Sequence, residues 1–214
     1  MTTDFIESLA PLQGQPLTRQ LLLSLLKDYK RPWDKISDLV RQQKLTQVRR
    51  GIFVPGDRSR VRGPEPFLLA SHLLGPSYVS LETALSYWRL IPEQVFEVTS
   101  VTTARSKTYQ TKVGRFSYWH LPLPYYAFGQ QRVELAPGQY ALVARPEKAV
   151  CDKIIATSAL NFRSLDQARS WLIEDMRMDP DQLRKINPEA IAGWLKDAPK
   201  QRSLEFLIKA LPDL

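Results

Sequence analysis

Cysteine, histidine and long apolar runs are scarce in this chain of 214 residues, and each scarcity excludes a class of protein. With Cys151 as the single cysteine, the chain can form neither an internal disulfide nor a site built from several thiolates. The two histidines, His72 and His120, lie far apart on segments of different predicted type, so no metal-ligand spacing is present. We therefore expect no bound metal and a reducing, cytoplasmic environment.

Long hydrophobic runs are also absent. The most apolar window, residues 21–26, is interrupted by Ser24 and is far shorter than the roughly 20 residues that cross a bilayer. The first residues carry Asp4 and Glu7, where a secretory signal peptide would have basic residues and then an apolar stretch. The sequence therefore predicts a cytoplasmic protein without membrane contact.

Motifs for catalysis and cofactor binding are lacking as well. The glycines are scattered, and no G-x-x-x-x-G-K phosphate loop occurs. Cys151 falls within a predicted amphipathic helix, where a buried thiol is expected. Glu147 and Lys148 are adjacent, so on a helix they point in different directions. We expect Glu147 at a helix start and Lys148 in a surface ion pair or on a phosphate. The chain is predicted not to be an enzyme and to need no cofactor.

Positive charge is concentrated in the N-terminal third. The formal net charge is +8, and residues 1–62 supply +6 of it, with twelve basic side chains against six acidic ones. The other 152 residues are nearly balanced, with 18 basic and 16 acidic groups. This asymmetry is typical of a segment that contacts a polyanion. An ordinary solvated surface rich in lysine and arginine is the alternative.

Two helices are predicted after the first sixteen residues. Thr18 can cap a first helix over residues 18–29, with Leu17 and Leu22 as a hydrophobic staple. Pro32 suits the first position of a second helix, where its missing N–H costs nothing. Apolar residues recur at helical spacing in this second helix, from Trp33 onward, and leave a short, polar and mostly basic face toward solvent.

A small hairpin follows the second helix. Residues 45–48 and 52–54 alternate as strands, and Arg49-Arg50-Gly51 reads as the tight turn between them. Two helices and then a basic hairpin are typical of a winged helix-turn-helix, in which one helix enters the major groove and the wing lies along the backbone. Domains that bind only protein also use this order of elements, which remains the alternative.

The basic and amide side chains of this region are the candidate DNA contacts. Lys35, Arg41 and Gln42 on the second helix are expected to reach base edges. Arg49 and Arg50 at the turn are expected to hold phosphates. The stretch 55–66 is either a linker or a second basic contact. The predicted DNA-binding residues are Lys35, Arg41, Gln42, Lys44, Arg49, Arg50, Arg58, Arg60 and Arg62.

The fold class that these patterns predict is α+β, with a winged-helix domain over residues 1–62 and a mixed domain over residues 63–214. The mixed domain begins with two short helices, the second capped by Ser80. We then expect an antiparallel sheet, with strands near residues 96–103, 115–121, 133–135 and 140–143. A C-terminal helical bundle follows, with Ser164 and Asn187 as caps.

Two clusters in the mixed domain are further candidates for contact. The basic loop between the first two strands either touches nucleic acid or an acidic partner, or is a solvated hairpin end; it comprises Arg105, Lys107, Lys112 and Arg115. The aromatic cluster either stacks on bases or anchors a protein partner, or is sheet core with its covering loop; it comprises Tyr118, Trp119, Tyr125, Tyr126 and Phe128.

Four segments occur in a characteristic order: VRRGIFVPG, FLLASHLLG, GPSYVSLETALSYWRLIP and ARPEKAVCDKI. In order and spacing they resemble the AbiEi-type antitoxins of bacterial type IV toxin–antitoxin systems, over residues 17–160. The resemblance implies a winged helix that represses its own operon and a C-terminal domain that counteracts a partner nucleotidyltransferase toxin. It also implies DNA contact on residues 32–43 and 49–51. Only two helices precede the wing, unless residues 3–9 supply a third.

The leading hypothesis is therefore a repressor and antitoxin. It would bind operator DNA with inverted repeats, as a monomer or homodimer on DNA, and it would engage a nucleotidyltransferase-type toxin. The alternative is a protein-interaction adaptor whose winged helix docks a partner and whose charge is incidental. A nuclease or nucleotidyltransferase is a third reading, but it needs a carboxylate cluster that the sequence does not display.

Overall fold

The computed structural model of the chain describes residues 5–214, apart from the side chains of Ile6 and Asp213. These residues divide into two compact units. Unit 1 runs through Gly75 and includes Gln110–Gly114 and Glu134–Ala141. Unit 2 consists of Pro76–Tyr109, Arg115–Val133 and Leu142–Leu214. By packing, unit 1 thus extends past residue 62.

Unit 1 alternates short helices with a small sheet. Its elements are α1 (Phe5–Leu9), β1 (Leu17–Thr18), α2 (Arg19–Leu25), α3 (Pro32–Arg41), β2 (Leu45–Arg49), β3 (Ile52–Pro55) and α4 (Pro66–Leu73). The three strands form a sheet of order β1-β3-β2, in which β3 is antiparallel to both neighbours. The predicted hairpin is confirmed, whereas β1 is an addition that the sequence pattern did not indicate.

The two predicted helices are present, and the first is shorter than expected. The Thr18 hydroxyl accepts a hydrogen bond from the Leu21 N–H at 3.2 Å, so the predicted cap is confirmed. The helix ends at Leu25 and not at residue 29. Pro32 does begin α3, and the residue before a proline avoids the helical conformation. Because α2 ends at Leu25 and α3 begins at Pro32, the connection between the two helices is longer than the two residues predicted.

A single apolar core lies beneath these elements. Leu17 and Leu22, the predicted staple pair, are both fully buried in it. Phe5 and Leu9 join the same core, so α1 provides a third helix before the hairpin. Of the predicted segment 3–9, residues 3 and 4 lie outside the described part of the chain.

The segment after β3 packs closely against the end of α3. Gly56 donates its N–H to the Lys44 carbonyl at 3.0 Å, and Arg58 donates its N–H to the Gln43 carbonyl at 3.1 Å. A Cβ at position 56 would collide with the Gln43 carbonyl oxygen, so this close approach requires glycine. Ser59 is buried. Residues 55–66 therefore belong to unit 1 and do not form a free linker.

Six further strands form a second sheet, and most of their residues belong to unit 2. Its strands are β4 (Ser77–Val79), β5 (Val98–Thr102), β6 (Lys107–Thr111), β7 (Gly114–His120), β8 (Gln130–Ala136) and β9 (Gln139–Ala144), in the order β6-β7-β5-β4-β9-β8. β4 is antiparallel to β5, but β5 is parallel to β7 and β4 is parallel to β9. The prediction of an antiparallel sheet is therefore wrong. The sequence pattern predicts a loop at β6, but this segment is a strand that lies outside β7 in the sheet. β7 consequently pairs with β5 and runs in the same direction.

Helices make up the rest of unit 2. They are α5 (Leu81–Tyr87), α6 (Pro146–Ala156), α7 (Leu165–Ser170), α8 (Pro180–Leu183), α9 (Pro188–Trp194) and α10 (Gln201–Ala210). α5 packs on α6, and α10 packs on α7 and α9. The predicted caps Ser164 and Asn187 both accept hydrogen bonds from the first turns of their helices. Within the described residues, no helix has the length and apolar character needed to span a membrane.

Candidate nucleic-acid interface

The predicted base-reading helix, α3, carries balanced charge. Ile36 and Leu39 face the core. On the outer side, the Arg41 guanidinium bonds the Asp38 carboxylate at 2.6 Å. Lys35 is half-buried, with its ammonium 5.4 Å from the centre of the Tyr29 ring. The helix itself therefore contributes little to the positive charge of unit 1.

Gln42 lies directly after α3 as its C-terminal cap residue, and its side chain is exposed. Lys44, two residues further on, is half-buried at the start of the hairpin. Arg58 and Arg60 are exposed on the segment that packs against the end of α3. Arg62 is also exposed, but it bonds the Glu65 carboxylate at 2.6 Å. The predicted basic residues thus surround the end of α3, and two of them, Arg41 and Arg62, already have acidic partners.

The two arginines at the hairpin turn differ in their surroundings. Arg49 is half-buried, and its guanidinium donates to the Leu73 carbonyl oxygen at the end of α4. Arg50 is exposed at the turn, next to Gly51, whose φ of +83° favours glycine. Only Arg50 therefore projects from the tip of the hairpin, while Arg49 links the hairpin to α4.

A cleft of about 380 Å³ lies beside this turn. Its lining residues are Arg19, Trp33, Gln47, Arg50, Gly51 and Phe53. The Arg19 guanidinium carbon is 4.3 Å from the centre of the Trp33 ring, a cation–π contact. Trp33 is 41% exposed, although its place in the apolar repeat of α3 predicted an inward position. We call these six residues the wing cleft; sequence reasoning missed Arg19, Trp33 and Gln47 as candidates.

The four basic residues predicted as a second contact do not all line one cleft. Lys107 and Arg115 line a cleft of about 620 Å³ in unit 2, together with Glu82 and Glu97. The Arg115 Nε is 3.2 Å from the Glu97 Oε1. Lys112 belongs to unit 1 and lines a separate, smaller cleft there, and Arg105 lines neither. Basic and acidic groups are balanced in the larger cleft.

The aromatic cluster is mostly core. Tyr118, Tyr125 and Tyr126 are buried, while Trp119 is 43% exposed on β7. The ring of Phe128 stacks on that of Trp194 at 6.3 Å between centres. The sheet-core interpretation therefore fits three of the five aromatics directly, whereas Trp119 is exposed and Phe128 is half-buried.

Lys148 is fully buried, which corrects the expectation that it lies at the surface. Its ammonium is 3.0 Å from the Asp152 carboxylate and donates to the Tyr125 carbonyl at 3.0 Å. The same carboxylate accepts hydrogen bonds from Tyr78 (2.9 Å), Ser80 (2.7 Å) and Tyr125 (3.0 Å). We call these five residues the Asp152 network.

The Asp152 network also explains why one predicted cap is wrong. Ser80 precedes α5, but its hydroxyl donates to Asp152 and makes no capping bond. Burial raises the pKa of the Tyr78 and Tyr125 hydroxyls well above their ordinary value, and the Asp152 charge adds to the effect. Burial lowers the pKa of Lys148, and Asp152 opposes that shift. The network fills the interior, so it is a packing element and not a site open to substrate.

Cys151 and Glu147, two further titratable groups of α6, have structural surroundings. Cys151 is buried, and burial raises the pKa of its thiol. The Glu147 carboxylate accepts the N–H of Asn187 at 3.1 Å and so ties the start of α6 to the start of α9. Within residues 5–214, no three side chains of the metal-binding types lie close enough to hold one ion.

Comparisons with known proteins identify the fold and no family. No protein-family model and no curated protein matches this sequence. The fold is similar to that in the crystal structure of the RV2827C protein from Mycobacterium tuberculosis, with a TM-score of 0.65 and 14% sequence identity. The alignment covers 97% of this chain and 75% of that one. At this identity the likeness shows a shared fold alone.

Proposed function

We propose that unit 1 is a winged helix-turn-helix domain that binds duplex DNA, and that the chain is an autorepressor and an antitoxin against a nucleotidyltransferase-type toxin. The observation that carries the first part is the order of elements in unit 1. A helix, a strand, two helices and a two-stranded hairpin follow one another, and the first strand pairs with the hairpin. In this proposal α3 is the recognition helix and β2–β3 is the wing.

The distribution of unpaired arginines supports DNA as the partner. Arg19, Arg50, Arg58 and Arg60 are exposed, and within residues 5–214 no ion pair joins any of them to a carboxylate. Exposed guanidiniums without acidic partners are suited to phosphate, which they bind in a bidentate manner. Because α3 has no excess charge, we expect these four arginines to supply most of the affinity.

Base recognition in this proposal falls on Lys35, Arg41 and Gln42. Arg41 must release the Asp38 carboxylate before it can bind a base edge. Only at the preferred sequence does the new contact offset the loss of that ion pair. Gln42 is exposed beyond the end of α3 and is suited to an adenine edge. We therefore expect modest affinity for arbitrary duplexes and a clear preference for the operator.

The antitoxin half of the proposal rests on the resemblance to AbiEi-type antitoxins. Unit 2 would engage the toxin, and α7, α9 and α10, which pack together, would form the predicted helical bundle. Two copies of the chain would occupy an inverted repeat, in the cytoplasm. Co-expression with the product of the adjacent gene tests the assignment: that product should be a nucleotidyltransferase that arrests growth, and growth should recover when this chain is present. Continued growth arrest, or a neighbouring gene of another kind, would contradict it.

Salt-dependent binding to duplex DNA tests the DNA-binding half. Fluorescence anisotropy with the DNA upstream of the gene should show log affinity falling against log salt with a slope of about −3 to −4, since each phosphate contributes about 0.9. Arg50→Ala should weaken binding to all duplexes, whereas Gln42→Ala should mainly alter sequence preference. Arg49→Ala is a poorer test, because it also removes the contact with Leu73. Little affinity at any salt would favour the protein-interaction adaptor instead.

A further inference from the structure

Two guanidiniums and an exposed tryptophan converge on the wing cleft. We propose that this cleft holds one phosphodiester group of the DNA backbone between Arg19 and Arg50, with Trp33 packed against the adjoining deoxyribose. This inference rests on the proposed function and deepens it, because it joins Arg50 in one backbone subsite with Arg19 and Trp33, which lie outside the predicted DNA-binding set. It also places the contact beside the wing turn, away from the end of α3.

Arg19 contacts α3 through its side chain and the hairpin turn through its main chain. Its guanidinium lies over the Trp33 ring, 4.3 Å from the ring centre, so one face of the group is covered. Its main-chain N–H donates to the Gly51 carbonyl at 2.9 Å, which ties this residue to the wing turn. A guanidinium stacked on an aromatic ring still presents its N–H edge, and that edge matches two oxygens of a phosphate.

The rest of the lining is suited to an anion that carries an apolar group. Arg50 and Gln47 add donors, and none of the described residues that line the cleft carries a carboxylate. Trp33 and Phe53 supply apolar surface beside these donors. A sugar–phosphate unit has a charged and an apolar part side by side. Free inorganic phosphate would contact the donors but leave the apolar surface of the cleft uncovered. The combination therefore favours the DNA backbone.

Position 51 keeps the two arginines close together. Gly51 has a φ of +83°, which a side chain disfavours, and a Cβ built there would lie 4.0 Å from the Cβ of Arg19. The turn therefore lies close to the start of α2, and Arg50 is the residue next to Gly51 in this turn. Arg19 and Arg50 both line the wing cleft.

Charge-removing variants test the subsite directly. Arg19→Gln and Arg50→Gln should each weaken duplex binding by about tenfold, independently of DNA sequence, and reduce the salt slope by about 1. Arg202→Gln is the matched control, because it removes an exposed arginine from α10 in unit 2. Arg19→Lys should keep the salt slope but lose affinity, since an ammonium offers no planar pair of donors.

Trp33 provides a second readout, because the other four tryptophans all lie in unit 2. We expect duplex DNA to change the tryptophan emission of the wild-type protein, and expect this change to be lost in Trp33→Phe, which keeps an aromatic ring under Arg19. Far-UV circular dichroism confirms that each variant is folded.

The outcomes separate the two proposals. If the wild-type protein binds no duplex even at low salt, the proposed function fails and takes this inference with it. If the wild type binds with a steep salt slope while Arg19→Gln and Arg50→Gln match the control, only the subsite is refuted. A Trp33→Phe variant with an unchanged DNA-dependent signal would also contradict the subsite.

Discussion

Replacing Lys148 by methionine tests how the centre of unit 2 is held together. Methionine keeps most of the length and apolar stem of the lysine but removes the ammonium. In the folded protein this group is fully buried, 3.0 Å from Asp152 and 3.0 Å from the Tyr125 carbonyl oxygen. It also lies 3.1 Å from the centre of the Tyr125 ring. The substitution therefore leaves a buried carboxylate without its counter-ion.

The expected loss follows from the partners that remain. Removing one member of a buried ion pair costs about 3–5 kcal/mol of unfolding free energy. Asp152 keeps three hydroxyl donors, from Tyr78, Ser80 and Tyr125, so we expect about 3 kcal/mol for Lys148→Met. Tyr78→Phe removes a single donor and should cost less, about 1.5 kcal/mol. This order of losses is the signature of a network centred on the carboxylate.

Guanidinium unfolding followed by tryptophan fluorescence measures these losses. A Trp33→Phe background makes the signal specific for unit 2, because tryptophans 88, 119, 171 and 194 all belong to that unit. The difference in midpoint multiplied by the common slope gives the change in unfolding free energy. An unchanged slope shows that the two-state comparison is valid.

A double variant separates this reasoning from the usual behaviour of buried ion pairs. Replacing both members of such a pair by apolar residues is often neutral or stabilising. Here Lys148→Met with Asp152→Leu should remain destabilised by at least about 3 kcal/mol, since three buried hydroxyls lose their acceptor. Wild-type stability of the double variant, or a loss below about 1 kcal/mol in Lys148→Met, would refute the central role of Asp152.

Two further stability predictions concern Cys151 and Lys200. Burial raises the pKa of the Cys151 thiol, so above its ordinary pKa of 9.0 the unfolded chain loses a proton that the folded chain keeps, and stability falls as pH rises. Above pH 9 the free energy of unfolding of Cys151→Ala should therefore fall less steeply than that of the wild type, by about 1.4 kcal/mol per pH unit, in denaturant titrations at several pH values. Parallel pH profiles of the two proteins would contradict this. The Lys200 ammonium donates to three carbonyls, those of Ile154, Thr157 and Leu160, at and beyond the end of α6. Lys200→Met should lower the unfolding free energy by about 2 kcal/mol against Lys209→Met as control, and equal stabilities of the two variants would disprove it.

Local signals account for the parts of the fold that could be predicted. Pro32 begins α3 because a proline suits the first helical turn, and the caps Thr18, Ser164 and Asn187 are recognised by their side chains alone. The hairpin could be predicted because a strand-turn-strand pattern with glycine in the turn occupies adjacent residues. Each of these features is contained within a few consecutive positions.

Strand partners depend on residues that are distant in sequence, and here prediction was wrong. The segment 107–111 is polar and mostly exposed, so it lacks the apolar alternation that indicates a strand, although it pairs at the edge of the sheet. Without a strand at β6, the sequence pattern predicts that β5 and β7 form a simple antiparallel hairpin. β5 and β7 pair in parallel because β6 lies between them along the chain, and β6 has no sequence signal.

The candidate interface shows the same limit. The position of Arg50 at the tip of the hairpin follows from the turn, and the structure agrees. The contact of Arg49 with Leu73 joins residues 24 positions apart, and the stacking of Arg19 on Trp33 joins two elements that the sequence analysis treated separately. The burial of Lys148 depends partly on Tyr78 and Tyr125, which are distant in sequence, so its pairing with Asp152 four residues away did not by itself indicate a buried position.

The close packing at Gly56 determines how unit 1 can be engineered. Residues 55–66 carry exposed arginines on a backbone anchored to the end of α3, so their charges are presented from a rigid support. A library of surface-charge variants can replace Arg58 without disturbing that support, whereas the φ of +57° at Arg60 disfavours β-branched side chains there. Nothing lies within 4 Å of a side chain added at Gly63. Position 56 must stay invariant in such a library, because even alanine would displace the carbonyl against which the whole segment rests.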